Sequence, residues 1–168
     1  AKRYKLAYVP AGHSDEWMGE NQAGDPQTVK HAGIALPVFT EHNGKWICAG
    51  AQMRFLEGNL RYFSLYKFRA SRRLFNEPVL LGAAGKDVVL VEGPFDALHI
   101  CGLGVRAVAL LGTKLNEHKA KLLKDGDPKM VHILLDNDAA GQAGSQKAEA
   151  ILKTYGIPYC SHKAFKDP

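Results

Sequence analysis

From residue 88 onward, short apolar runs alternate with segments that read as helices: VVLV, PFDALHICGLG, VRAVALL, NEHKAKLLKDG, MVHILL, AAGQAGSQKAEAILKTYG and IPYCSH. A strand with one wet face alternates apolar and polar residues, whereas these runs are continuous and so need cover on both faces. Strands of that kind joined by helices form a parallel sheet flanked by helices, and the expected fold class is α/β. Such sheets gather their chemistry at the carboxyl ends of the strands. Upstream, GAAGKD at 82–87 interrupts the pattern and marks a junction. It separates an α+β subdomain over residues 1–85 from the α/β domain over residues 86–168. GAAGKD is not a phosphate loop, because its glycine spacing is wrong and Asp87 stands where Ser or Thr is required.

The strand ends carry acids. VVLV is followed by Glu92 and Gly93, with Asp96 one helical turn later, and HILL at 132–135 is followed by Asp136, Asn137 and Asp138. Both ends belong to the same edge of a parallel sheet, so four carboxylates should converge there. Like charges at close range repel and raise one another's pKa unless a cation neutralises them. Carboxylate oxygens with no His or Cys among them favour Mg²⁺ or Mn²⁺. Ions held this way organise phosphates and stabilise the charge that develops in phosphoryl transfer. A single acid at a strand end can equally serve as a helix N-cap, and Asp138, ahead of a helix starting near Ala139, fits that role as well as the metal role. Capping explains neither Glu92 nor the convergence of two strand ends. Gly93, Gly112 and Gly141 lie at strand-to-helix turns, where a missing side chain lets backbone N–H groups approach a ligand, or simply permits a tight turn. Gly102-Leu103-Gly104 follows a helix and precedes a strand, the reverse of a dinucleotide fingerprint, and reads as a helix stop.

The first part of the chain reads as strands and turns: IALPVF at 34–39, a turn at His42-Asn43-Gly44, then KWICAGAQMRF at 45–55. Asn-Gly between apolar runs is a strong hairpin signal. The net charge of +5 is concentrated. Arg54, Arg61, Lys67, Arg69, Arg72 and Arg73 stand against Glu57 alone, interleaved with Tyr62, Phe63, Tyr66 and Phe68. That composition suits a surface that tracks phosphates and stacks bases. It suits an amphipathic, solvated strand pair too.

Other classes are disfavoured. The longest apolar runs fall far short of the roughly 20 residues that cross a bilayer, so no membrane partner is expected. AKRYKLAYVP has no apolar stretch after it and does not read as a secretory signal, which makes the cytoplasm the expected location. Cys48, Cys101 and Cys160 are odd in number and far apart, and the histidines are scattered without knuckle spacing. Neither a disulfide framework nor a structural zinc is expected. His13, Trp17 and His31 read as packing or surface residues.

VVLVEGPFDALHICGLG, VALLGT and LLDNDAAGQAGSQKA resemble, in order and spacing, the TOPRIM core of bacterial and phage DnaG-type DNA primases. The resemblance implies a TOPRIM fold and metal-dependent synthesis of short RNA primers from nucleoside triphosphates on a single-stranded DNA template. It assigns metal binding and catalysis to Glu92, Asp136 and Asp138, matches Asp96 to the second acid of the EGxxD motif, and adds Asp167 from the closing KDP. Upstream, LPVF at 36–39, Arg54, Arg61-Tyr62 and LFN at 74–76 resemble the primase N-terminal half. Its basic positions face nucleotide phosphates and template, which implies binding roles for Arg54, Arg61, Tyr62, Lys67, Arg69, Arg72 and Arg73. The likeness runs over residues 34–168. It departs at Ser64, where Asn is usual, at Glu77, where Lys is expected, and in extra residues between Arg61 and Phe75. Those departures suggest a phage or mobile-element primase. The resemblance also implies a longer protein, with a zinc-binding module ahead of this core and a replicative helicase as partner. A TOPRIM nuclease would use the same acids to cleave DNA, and a non-catalytic nucleic-acid-binding module would keep them as a relic. A topoisomerase is disfavoured, because GPFD follows Glu92 in place of the EGDSA or ESPAK continuations.

Overall fold

The computed structural model describes residues 4–12, 29, 31–58, 62–65, 68–112 and 114–163. It divides into two compact units, Ala1–Ala70 and Ser71–Pro168.

The first unit is built on an antiparallel sheet of β1 (Ala7–Val9), β2 (Gly33–His42), β3 (Lys45–Phe55) and β4 (Tyr62–Ser64), paired in chain order. Asn43 and Gly44 both have positive φ, 51° and 74°, and His42 pairs with Lys45. Both central residues of a type I′ turn need that left-handed conformation, which Asn and Gly adopt at least cost. Along β2, Leu36, Val38 and Thr40 are buried and their neighbours less so, the period of a strand with one covered face. A register shift between Val38 and Phe39 bends the strand. Val29 and Met53 are buried among Val9, Phe55, Phe63 and Leu65, and His31 meets the edge of the Phe55 ring, a packing role.

In the second unit, strands and helices alternate as β5 (Asp87–Val91), α1 (Pro94–Gly102), β6 (Ala107–Ala109), α2 (Glu117–Asp125), β7 (Met130–Ile133), α3 (Ala139–Thr154) and β8 (Tyr159–Ser161). The strands are parallel, in the order β6-β5-β7-β8. Val88, Leu90, Val108, Leu110, Val131 and Ile133 share one core with Leu123 of α2 and with Ala148 and Leu152 of α3. The alternate residues Val91, Ala107 and Ala109 are buried as well, and α1 packs on β5 and β6. Continuous apolar runs, covered on both faces, therefore make this sheet. Cover thins toward β7 and β8, where His132 is half-buried and Cys160 exposed.

Two boundaries differ from the sequence reading. The division falls after Ala70, ahead of GAAGKD, because residues 71–85 belong with the α/β unit: Leu74, Leu80 and Ala83 join its core and Phe75 bridges to Ala109. The glycines mark a turn inside a unit, since a turn signal says nothing about which core its flanks enter. VRAVALL supplies a strand only over Ala107–Ala109; Leu111 turns out of it with φ 58°. Gly102-Leu103-Gly104 ends α1 as expected, with Gly104 at φ 84°. No helix among the described residues is long and apolar enough to cross a membrane.

A buried cation joins α2 to the end of β6. Lys119 is 3% exposed, and its ammonium donates to the carbonyls of Leu110 and Lys114. Burial pushes its pKa down to about 8.

Candidate active site

β5 and β7 are neighbours, with Leu90 opposite Ile133, so the residues after them leave the sheet side by side. The backbone N–H of Asp136 donates to Oε1 of Glu92 at 3.3 Å. Burial holds the Glu92 carboxyl above its ordinary pKa, the negative charges of Asp136, Asp138 and Asp96 push it the same way, and the Asp136 N–H opposes them. The structure thus brings Asp96, Asp136 and Asp138 into electrostatic reach of Glu92, at the edge where a parallel sheet keeps its chemistry.

Two of the four also hold the helices that follow. Asp138 is the N-cap of α3, its Oδ1 accepting from the Gly141 N–H at 2.7 Å. Asp96, in the first turn of α1, accepts from the Gly93 N–H at 3.2 Å through Oδ2. A carboxylate has two oxygens, so one such bond leaves capacity for a cation. The two readings of Asp138 are therefore compatible.

Gly141 is a steric requirement. A Cβ there would lie 2.0 Å from the carbonyl oxygen of Asp136, so only glycine lets the first turn of α3 close onto the loop that carries the acids. Gly93 is the N-cap of α1, and the bond to Asp96 engages its N–H. Gly112 lies in the loop after β6.

The basic segment is not one surface patch of one unit. Arg54 on β3 pairs with Tyr62 on β4, its guanidinium carbon 5.0 Å from the ring centroid, and Arg69 is exposed in the same unit. Arg72 and Arg73 belong to the second unit. Arg72 is exposed, while Arg73 lies 3.8 Å from Oε2 of Glu77. Glu77 is 5% exposed and accepts the Leu74 N–H, a structural task that the sequence does not announce. Arg61, Lys67 and Asp167, like His13 and Trp17, lie outside the described residues.

The side chains that act on Glu92 are carboxylates, oxygen donors of the kind that hard divalent cations take. Residues 89–168 match the family model described as Toprim-like. The chain is 42% identical over 72 residues to a DNA primase of Myxococcus xanthus, a match spanning 42% of this chain and 12% of that protein. It is 41% identical over 70 residues to a DNA primase of Aquifex aeolicus, spanning 41% of this chain and 14% of that one. The chain thus matches only a small part of these relatives' length. Among solved structures, a DNA primase domain from Pseudomonas aeruginosa aligns with a TM-score of 0.79 at 18% identity, over 100% of this chain and 60% of that one. A DnaG primase catalytic domain bound to ssDNA aligns with a TM-score of 0.78 at 19% identity, over 99% and 62%. A two-domain structure of Aquifex aeolicus primase, holding its zinc-binding and RNA polymerase domains, aligns with a TM-score of 0.76 at 21% identity, over 98% and 46%.

Proposed function

Starting from a Toprim-like domain and the fold of a DnaG-type catalytic core, we propose that this chain is the catalytic core of a DNA primase, making short RNA primers on single-stranded DNA. The observation that carries the reading is Glu92 accepting the Asp136 backbone N–H, with its carboxyl pKa raised by burial and by the three aspartates around it. Carboxylates gathered at one sheet edge repel one another, and a divalent ion relieves that cost. Oxygen donors alone favour Mg²⁺ or Mn²⁺.

Glu92, Asp136 and Asp138 would be the ligands, with Asp96 and Asp167 as further candidates. When bound, the ions would activate the primer's 3′ hydroxyl and neutralise charge on the transferring phosphoryl group. That hydroxyl attacks the α-phosphorus of a nucleoside triphosphate; a new P–O bond forms, pyrophosphate leaves, and the hydroxyl proton passes to solvent. The chain's own part is to hold the acids at adjacent strand ends, fixed by the Asp138 cap and the close approach at Gly141. Backbone N–H groups near Gly93, Gly112 and Gly141 would approach the phosphates.

The basic segment would serve template and nucleotide. Arg54 over Tyr62 offers a cation for phosphate beside an aromatic face for a base. Arg69 and Arg72 are exposed cations of the same kind, to which Arg61, Lys67 and Arg73 would add. A replicative helicase is a further proposed partner.

The test is incubation with labelled single-stranded DNA, nucleoside triphosphates and Mg²⁺ or Mn²⁺. New product should lengthen with time, and Glu92→Gln and Asp136→Asn should each cut the rate about a hundredfold or more, with unchanged circular dichroism. Shortened template would indicate a nuclease, and binding without turnover a non-catalytic module. Priming undiminished in both variants would reject the assignment.

A further inference from the structure

β7 and β8 are paired in parallel with His132 opposite Cys160. Side chains two apart on a strand share a face, which places His162 beside Cys160. The His162 N–H donates to the Ile133 carbonyl at 2.9 Å, extending the ladder past the end of β8. The side chains converge: His132 Nδ1 and His162 Nε2 are 2.8 Å apart, their rings stack at 5.1 Å, and all three ligand atoms, including the thiol sulfur of Cys160, lie within 4.8 Å of one another. On the far side of the His132 ring, Oδ2 of Asp87 is 3.4 Å from Nε2.

A tetrahedral zinc ion takes nitrogen at about 2.0 Å and sulfur at about 2.3 Å, so its ligand atoms stand roughly 3.3 to 3.7 Å apart. The two nitrogens at 2.8 Å and the 4.8 Å limit on all three atoms bracket that span, so side-chain rotations that part the imidazoles would admit the ion. Two imidazoles and a thiolate suit zinc and disfavour magnesium or calcium. Asp87 stands where a carboxylate orients a ligating histidine: by accepting from the Nε2–H it keeps the proton on Nε2 and leaves the Nδ1 lone pair for the metal. The donors differ in kind from the all-oxygen set at Glu92.

We propose that His132, Cys160 and His162 form a zinc site, with Asp87 as the residue that positions His132 and water in the fourth coordination place. Such a site would be independent of primer synthesis. It would join the edge strand β8, three residues long, to β7 through side chains as well as backbone. Strand register, not sequence spacing, brings His132 to Cys160, and only the pair Cys160-Ser161-His162 is readable in sequence.

The test uses the whole chain, made without a histidine tag, stripped of metal and titrated with Co²⁺ and then Zn²⁺. One ion per chain should bind, with the absorption of tetrahedral cobalt and a thiolate-to-cobalt charge-transfer band, both removed by Zn²⁺, and zinc should raise the melting temperature. Cys160→Ser should lose the charge-transfer band. His162→Gln should weaken binding about tenfold or more, and Asp87→Asn about tenfold with the band kept. Asp136→Asn should leave the band in place, which separates this site from the acidic edge. Absence of the band in the parent chain would overturn the proposal. So would unchanged zinc affinity in Cys160→Ser, or in the exposed His162→Gln should the cysteine variant misfold.

Discussion

In the first unit, antiparallel strands joined in chain order bury one side of β2 through Leu36, Val38 and Thr40. The second unit has parallel strands joined by helices, with Val88, Leu90, Val108, Val131 and Ile133 wholly buried. The two kinds of sheet bear functional groups differently. An antiparallel sheet with a wet side offers side chains, such as Arg54 over Tyr62, and the backbone beneath them is fixed by the ladder alone. A parallel sheet covered by helices offers the loops at its strand ends, where Glu92 accepts the Asp136 backbone N–H and Asp138 that of Gly141. Function in the second unit should therefore be sensitive to small backbone displacements, and function in the first to the loss of individual charges.

Gly141→Ala is the strongest way to break that contrast. The added methyl would meet the Asp136 carbonyl oxygen at 2.0 Å, a backbone atom that cannot move aside without taking the acids along. The variant should lose about 3 kcal/mol of stability or somewhat more. Any priming activity should fall about a hundredfold, since small misplacements of reacting groups cost that much. Denaturant unfolding and the priming assay measure the two effects. A stable, active Gly141→Ala protein would mean that the close approach is not what holds the site.

The sequence makes this half of the molecule the easier one to read, for a physical reason. Unbroken runs such as VVLV admit few alternatives once helices separate them, and a strand end followed by an acid has one edge to occupy. The Asn43-Gly44 hairpin was equally plain, because few dipeptides suit its turn. Side-chain partnerships were not readable. Nothing local says that Glu77 will be buried with Arg73 and the Leu74 N–H, that Lys119 will point inward, or that His132 will face Cys160. Each depends on residues brought together by the fold. The basic stretch shows the same limit: continuous in sequence, it is shared between two units.

Lys119 probes how dry the parallel unit is. Its folded pKa of about 8 lies below the ordinary 10.5, so between those values the unfolded chain holds a proton that the folded chain has released. By linkage, this lysine makes stability rise with pH across that window, and below pH 8 the full cost of burying the ammonium is present. The carbonyls of Leu110 and Lys114 favour the ammonium and temper the effect. Replacing it by methionine, which fills similar space without a charge, removes the titration whatever constant offset it introduces. The stability of the parent minus that of Lys119→Met should climb by about 1 to 2 kcal/mol from pH 8 to pH 10.5. A difference that stays flat would mean that the ammonium is as well solvated inside as in water.

The smallest effect belongs to the antiparallel sheet. Arg54→Ala removes one cation and its stacking on Tyr62, an interaction worth about 0.5 to 1 kcal/mol at an exposed site. The ladder under it, Gln52 to Ser64 and Met53 to Phe63, does not need the guanidinium, so the fold should persist. Binding to single-stranded DNA should weaken a few-fold, equally for all sequences, because a phosphate contact carries no base information. The slope of log affinity against log salt should become shallower by about 0.7, the share of one contact on a single strand. Fluorescence anisotropy at several salt concentrations measures both. If affinity falls while the slope stays the same, Arg54 acts by holding Tyr62 in place for stacking, and this sheet, like the strand ends of the second unit, works by positioning.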